Sequence, residues 1–156
     1  MASASLIATA FALILLIITA YFLVGVVLTT AQIVSYAQTD QVNQQELRMR
    51  TSLSINATNI SEGNLTMDIK NTGSTVIEDF EYIDMYTVNS SANPPVYYSM
   101  GEGVGTWGKV TINPDIINPG LLDPDEVMQV NITYIGDEPI WTKISTPNGI
   151  SVSGYV

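Results

Sequence analysis

The chain of 156 residues contains no cysteine and no histidine. Without cysteine it has no disulfides, no thiol nucleophile and no thiolate-bound zinc. Without histidine it lacks the usual general base near neutral pH and the commonest metal ligand. Catalysis would have to use carboxylates, lysines or hydroxyl groups alone. We therefore predict that the protein is not an enzyme and needs no cofactor.

Basic residues are also scarce, with 5 Lys and Arg residues against 15 Asp and Glu residues and a formal net charge of -10. A surface with this charge repels the phosphates of nucleic acids and the headgroups of an anionic membrane. We therefore expect no nucleic acid as a partner. Because we predict that the protein is not an enzyme, we expect no small-molecule substrate either. The charge suits a basic protein partner instead.

The first 39 residues contain no charged side chain, and Asp40 is the first one. Residues 6–28 of this stretch are almost wholly apolar. As a helix they would be about 34 Å long, enough to cross a hydrocarbon core of ~30 Å. The residues that we expect to line this membrane or filament-core helix are Leu6, Ala12, Leu16, Ala20, Gly25 and Leu28.

The apolar run has three interpretations. A cleaved secretory signal carries a basic n-region and a shorter apolar stretch, so the run favours an uncleaved helix. That helix is either a membrane anchor or the core helix of a pilin-like filament, in which small residues allow close approach between copies. Apolar residues continue among glutamines to about Glu46, which predicts a helical stalk. We place the domains at residues 1–47 and 48–156.

From Leu53 onward the spacing of apolar residues changes from a helical period to a period of two, which indicates half-buried strands. Further strand candidates are residues 76–88, 96–100, 106–112, 130–134, 140–146 and 150–156. Turn residues such as Asn93-Pro94-Pro95 separate them, and the glycine-rich residues 101–105 predict a hairpin tip. The pattern predicts an all-β immunoglobulin-like sandwich. Its aromatic core candidates are Phe80, Tyr82, Tyr86, Trp107, Tyr134 and Trp141.

Two sets of polar residues are candidate sites. Five Asn-X-Ser/Thr triplets follow the helix and indicate an extracytoplasmic, glycosylated surface. Their asparagines are Asn56, Asn59, Asn64, Asn89 and Asn131. The loop before the strand at residue 130 ends in Asp123, Asp125 and Glu126, which could supply oxygen ligands to calcium. Because the spacing matches no EF-hand loop, an acidic turn without metal is the alternative.

The order of these segments resembles the archaellum accessory proteins of the FlaF/FlaG type. An uncharged helix follows Met1-Ala2-Ser3-Ala4-Ser5, and a glutamine-rich stalk and a small β-sandwich come next. Residues 70–77, 118–126 and 146–153 are similar to the strand–turn signatures of that family. The resemblance implies a cell-surface sandwich that couples the archaellum motor to the surface layer and partners with surface-layer or archaellum proteins.

A polymerising subunit of an archaellum or type-IV-like pilus is the alternative, with residues 1–47 packed against copies of the same chain. Pilins and archaellins usually have a basic leader and often a glutamate just inside the helix, where this chain has Ser5. A third possibility is an extracytoplasmic module that binds calcium or glycan on a membrane tether.

Overall fold

A computed structural model describes residues 2–91 and 94–156 of the chain. The residues outside the description are Met1, Ala92 and Asn93. The predicted turn Asn93-Pro94-Pro95 therefore lies partly outside the described residues. The chain divides into two compact units, the first ending at Asn43 and the second comprising Gln44–Val156.

A single α-helix, α1, covers Ala2–Arg50. It contains no proline and one glycine, Gly25, so nothing in its sequence breaks the hydrogen-bond ladder. Its threonine hydroxyls donate to carbonyls one turn earlier, as Thr29 Oγ1 does to Gly25 O at 2.9 Å. Arg48 and Arg50 lie in the last turn, where positive charge complements the helix dipole. The helix therefore continues past Glu46, and its end belongs to the second unit.

Within residues 2–91 and 94–156, eight strands follow the helix. They are β1 (Leu53–Ser61), β2 (Asn64–Asn71), β3 (Asp84–Asn89), β4 (Val96–Met100), β5 (Thr106–Asn113), β6 (Val127–Thr133), β7 (Pro139–Ser145) and β8 (Ser151–Tyr155). Their order in the sheet is β1-β2-β6-β5-β4-β3-β7-β8. Every pair is antiparallel except β4 and β5. The predicted architecture, one long apolar helix followed by an all-β sandwich, is confirmed.

The core lies between inward-facing side chains that alternate along the strands. In β2 and β6 these are Leu65, Met67, Ile69, Met128, Val130 and Ile132, all essentially inaccessible to solvent. Each such side chain contributes about 1.5–3 kcal/mol by burial. Trp107 and Phe80 are buried as predicted, whereas Tyr82 is exposed. The other candidates Tyr86, Tyr134 and Trp141 are half-buried, and the fully buried tyrosine is Tyr98, which the pattern did not identify.

The strand predicted over residues 76–88 is wrong in its first half. Ile77 makes an isolated bridge to Leu122, a 3-10 turn covers Phe80–Tyr82, and β3 begins only at Asp84. The buried residues Ile77, Phe80 and Ile83 recur every three positions. A spacing of three does not match the alternation of a strand, and apart from the bridge at Ile77 the segment does not pair with the sheet before β3 begins.

The glycine-rich connection between β4 and β5 is not a hairpin tip. The two strands are parallel and share two residue pairs, Ser99 with Thr106 and Met100 with Trp107. Residues 101–105 loop back so that Thr106 lies beside Ser99 and β5 runs in the same direction as β4. Gly103 and Gly105 allow this loop because they adopt φ values of +102° and +86°, which side chains disfavour.

The two edge strands, β1 and β8, lie side by side without a hydrogen-bonded ladder among the described residues. A shallow cleft of about 370 Å³ separates them, lined by residues 53–58 and 152–155. The sheet is thus nearly closed on itself, and β1 keeps one edge of unpaired backbone groups.

Candidate functional site

The helix α1 presents apolar side chains to solvent on all its faces. Leu6, Leu16 and Leu28 are each more than half exposed, as are most of the large apolar residues between them. Residues advance by about 100° each along a helix, so Ala12 and Gly25 point roughly 140° apart. A helix that is apolar all round is normally surrounded by lipid or by other helices. By length and composition, α1 is able to cross a membrane.

The end of α1 is fastened to the sandwich at what we call the junction, residues 47–52 with residues 72–74 and Asn148. Thr51 Oγ1 donates to Leu47 O at 2.7 Å and accepts from Asn148 Nδ2 at 2.7 Å. The backbone N–H of Ser74 donates to Arg50 O at 2.8 Å. The last helical turn is therefore held from two loops of the sandwich.

Gly73 is the closest contact in the junction. Its N–H donates to Ser52 O at 3.0 Å. A methyl group placed on its Cα would overlap Arg50 O and lie 2.6 Å from Ser52 N. Both of these atoms belong to the backbone, so neither can rotate away. Only glycine allows the loop to approach the helix end this closely.

A buried amide supports the same end of the sandwich. Asn71, which has no solvent exposure, donates from Nδ2 to Thr75 O at 2.9 Å and to Leu122 O at 3.0 Å. Its Oδ1 accepts from the N–H of Gly73 at 3.0 Å. The Asn71 side chain therefore joins the junction loop to the loop between β5 and β6.

The acidic loop between β5 and β6 contains the three residues considered for calcium. Asp123 is 1% exposed and accepts from Asn118 through both carboxylate oxygens, at 2.9 and 2.7 Å. Glu126 accepts from the N–H groups of Ile116 and Asp123 at 3.4 and 3.1 Å. Asp125 is exposed and pairs with Lys70 at 2.9 Å. The three carboxylates thus point to different partners, and the two buried ones fold the loop.

Among the described residues, no group of three His, Cys, Asp or Glu side chains is placed to hold a metal ion. We therefore expect that adding or chelating calcium leaves the thermal midpoint of the full chain in detergent within about 1 °C, because the carboxylates already have partners. A Tm increase that grows with calcium concentration would contradict this, since a ligand that binds only the folded state raises its stability.

The opposite end of the sandwich, which we call the far pole, is formed by the β1–β2 turn, residues 101–105 and residues 134–138. Tyr134 N donates to Gly63 O at 3.2 Å and Gly105 N to Thr133 O at 2.8 Å, so the three segments touch. Val104 is 73% and Ile135 is 53% exposed there. The segments carry four carboxylates, Glu62, Glu102, Asp137 and Glu138, and none of the five basic residues. The far pole therefore combines exposed apolar side chains with negative charge.

Tyr97 and Tyr98, the tyrosines next to the glycine-rich connection, face opposite ways. Tyr98 is buried, and its hydroxyl accepts from Thr87 Oγ1 at 3.3 Å. Tyr97 is half exposed and packs on Tyr86 with ring centroids 5.4 Å apart. Partial burial and the neighbouring Asp84 raise the pKa of Tyr97. Only Tyr97 of the pair is available for contacts.

The five asparagine triplets fall in different environments. Asn56 and Asn59 are exposed on β1, whereas Asn64 on β2 and Asn131 on β6 are half-buried and hydrogen-bonded to each other. Asn89 is half-buried at the end of β3. The five asparagines predicted from the sequence as glycosylation sites therefore differ in exposure and in hydrogen bonding.

No protein-family model and no curated protein matches this sequence at a significant level. Solved structures do match. One is the archaellum periplasmic stator protein FlaG from Sulfolobus acidocaldarius, with 21% identity over 68% of this chain and 99% of that chain and a TM-score of 0.50. Another is the archaellum periplasmic stator protein complex FlaF and FlaG from the same organism, with 20% identity, coverage of 67% and 87%, and a TM-score of 0.49. At 21% identity the likeness to FlaG shows the fold alone, which is the fold that the resemblance implied.

Proposed function

We propose that the protein is a non-enzymatic accessory component of an archaellum apparatus, of the FlaF/FlaG type, that couples the motor to the surface layer. The likeness of its fold to the stator protein FlaG carries this proposal. The exposed apolar helix supports it, because a component that bears load at the membrane needs an anchor. The sandwich then lies outside the membrane, where the five asparagine triplets are also expected.

The helix provides the anchor in this mechanism. Each Leu, Ile, Val or Phe in the middle of a membrane-spanning helix favours insertion by roughly 0.3–0.6 kcal/mol, and residues 6–28 are mostly of these types. With no charged residue before Asp40, nothing in the segment opposes insertion. The helix can therefore resist a pulling force on the sandwich.

The junction transmits that force. Hydrogen bonds from Ser74, Gly73 and Asn148 hold the residues that link the helix end to β1. Because Gly73 packs directly on backbone atoms of the helix end, the contact has no long side chains that could yield. A stiff attachment of this kind suits a stator better than a flexible linker would.

The far pole is the surface that we propose for the partner. Val104 and Ile135 offer apolar contact, and the surrounding carboxylates favour a partner with basic residues at the rim. A surface-layer or archaellum protein of that character would meet the sandwich at the end opposite the junction.

Deletion of the gene tests the proposal. In cells that lack the protein we expect archaella to be assembled but swimming to be lost, because the filament would rotate without a fixed reference. The full chain should restore swimming, whereas a chain with Leu16→Arg should not, since an arginine at the helix centre costs about 2.5–3.5 kcal/mol of insertion. Normal swimming of the deletion strain would contradict the proposal.

A second candidate is the polymerising subunit of an archaellum or type-IV-like pilus. The distribution of small residues favours it, because Ala12 and Gly25 lie on different faces of α1 and would allow neighbours on several sides. Residues 1–47 would then form the filament core, and the sandwiches would coat it. In this case the deletion would remove the filaments themselves, so microscopy of the same strain separates the two candidates.

A further inference from the structure

The structure divides four of the asparagine triplets into two kinds. In β2 and β6 the register places Asn64 opposite Thr133 and Thr66 opposite Asn131. The asparagine of each triplet therefore faces the hydroxyl residue of the other triplet. Two sequences that each read as a glycosylation acceptor are neighbours in one antiparallel pair.

These neighbours form a polar ladder on the outer face of the sheet. Asn64 Oδ1 accepts from Asn131 Nδ2 at 3.0 Å and from Thr133 Oγ1 at 2.9 Å. Thr66 Oγ1 donates to Asn131 Oδ1 at 3.5 Å. The triplet of Asn131 therefore has both its amide nitrogen, Asn131 Nδ2, and its hydroxyl, Thr133 Oγ1, hydrogen-bonded within the fold. A sugar on Nδ2 of Asn131 would have to displace its contact with Asn64.

The triplets of Asn56 and Asn59 have the opposite character. Both asparagines are exposed on β1. Asn56 lies at an irregularity of the pairing between Ile55 and Ala57, and its Oδ1 accepts from Ser54 Oγ at 3.0 Å, which leaves Nδ2 unbonded within the described residues. For Asn59 the side chain makes no hydrogen bond to any part of the chain that the structure describes. Both nitrogens are open to a transferase.

We propose that Asn56 and Asn59 accept N-linked oligosaccharides, whereas Asn64 and Asn131 are structural residues that stay unmodified. The inference depends on the proposed function only in that the sandwich must lie outside the membrane. The donor is an oligosaccharide linked to a polyisoprenyl phosphate or diphosphate. Asn Nδ2 attacks C1 of the first sugar and loses a proton to the transferase. The bond from C1 to the phosphate oxygen breaks, and the polyisoprenyl phosphate or diphosphate leaves with the bonding electrons.

The position of these two residues gives the modification a physical effect. β1 is an edge strand that lies beside β8 across a shallow cleft without a hydrogen-bonded ladder among the described residues. Its unpaired backbone groups could pair with another chain only if that chain entered the cleft. Sugars on Asn56 and Asn59 would cover this edge along most of its length.

Peptide mass spectrometry of the full chain from its native cells tests the assignment. Cleavage after Arg50, Glu62 and Lys70 places Asn56 and Asn59 on one peptide and Asn64 on the next. We expect hexose-containing mass additions on most copies of peptide 51–62 and none on peptide 63–70 or on the peptide of Asn131. In a Thr58→Ala chain the addition at Asn56 should disappear, and in the matched Thr58→Ser chain it should remain.

Labelling of intact cells with a membrane-impermeant amine reagent separates this inference from the proposed function. All three lysines, Lys70, Lys109 and Lys143, lie in the sandwich. If they are labelled while peptide 51–62 is unmodified, the assignment of Asn56 and Asn59 is overturned and the outside location stands. If the lysines are unlabelled and peptide 51–62 is unmodified, both the assignment of Asn56 and Asn59 and the outside location of the sandwich are overturned. A sugar on Asn64 or Asn131 would also overturn the assignment.

The structural half of the proposal has its own test on the unglycosylated full chain in detergent. Asn64→Ala removes the acceptor of two donors and should lower the Tm by roughly 5 °C or more. The matched change Asn59→Ala, on the exposed strand, should shift the Tm by about 1 °C at most. Equal shifts for the two variants would overturn the distinction between the two kinds of triplet.

Discussion

Gly73→Ala is expected to lower the free energy of unfolding of the sandwich by about 2–3 kcal/mol. The added methyl group would overlap Arg50 O and approach Ser52 N at 2.6 Å, so the loop or the helix end must shift. That shift would also weaken the hydrogen bonds from Gly73 and Ser74 to Ser52 and Arg50. Urea unfolding of the full chain in detergent, followed by the fluorescence of the buried Trp107 and the half-buried Trp141, measures the change.

Gly108→Ala is the matched control for this prediction. The same methyl group there would lie 3.7 Å from Gly101 O, an ordinary van der Waals distance, and Gly108 does not have a positive φ. We expect its unfolding midpoint to stay close to that of the parent chain, within about 0.5 kcal/mol. If Gly73→Ala were as harmless as Gly108→Ala, the tight junction between the helix end and the sandwich would not exist in solution.

The double variant Val104→Lys/Ile135→Lys is expected to abolish swimming without unfolding the protein. Both side chains are exposed, so lysine fits at either position. Placing two ammonium groups in the apolar centre of an interface removes apolar burial and adds desolvation, and a combined cost of about 3 kcal/mol would weaken binding more than 100-fold. Swimming assays of the complemented deletion strain, together with a thermal melt, measure both effects.

Ile117→Lys provides the control for surface charge. Ile117 is 74% exposed, like Val104, but lies in the acidic loop at the junction end of the sandwich. The control should swim normally and melt at the parent temperature. Loss of swimming in both variants would show that added positive charge, rather than the far pole, is responsible. Normal swimming of the double variant would contradict the placement of the partner at the far pole.

Much of the fold could be predicted because its signals are local. The helix follows from an unbroken apolar run, and β1, β2 and β6 follow from a period of two between turn residues. The segment around Phe80 was mispredicted because its apolar residues recur every three positions within a stretch rich in strand formers. Periodicity also left open which of Tyr97 and Tyr98 faces the core, since that depends on where the alternation of β4 begins.

The contacts that define the candidate sites could not be predicted, because they join distant parts of the chain. The hydrogen bond between Asn64 and Asn131 depends on the register of β2 against β6. The hydrogen bond between Thr51 and Asn148 depends on where the β7–β8 turn is placed. Asp123 and Glu126 attracted attention as possible calcium ligands because of their charge. Their oxygens accept hydrogen bonds from within the same loop, a role that spacing alone does not distinguish from metal binding.

Mass spectrometry of filaments sheared from cells tests the central claim most directly. The filaments should be purified, checked by negative-stain microscopy and compared with the cell envelope from the same preparation. If the protein is an accessory component that couples the motor to the surface layer, it should be absent from the filament and remain with the envelope. If it were the major protein of the filament, the accessory role would be contradicted and α1 would be the helix of the filament core.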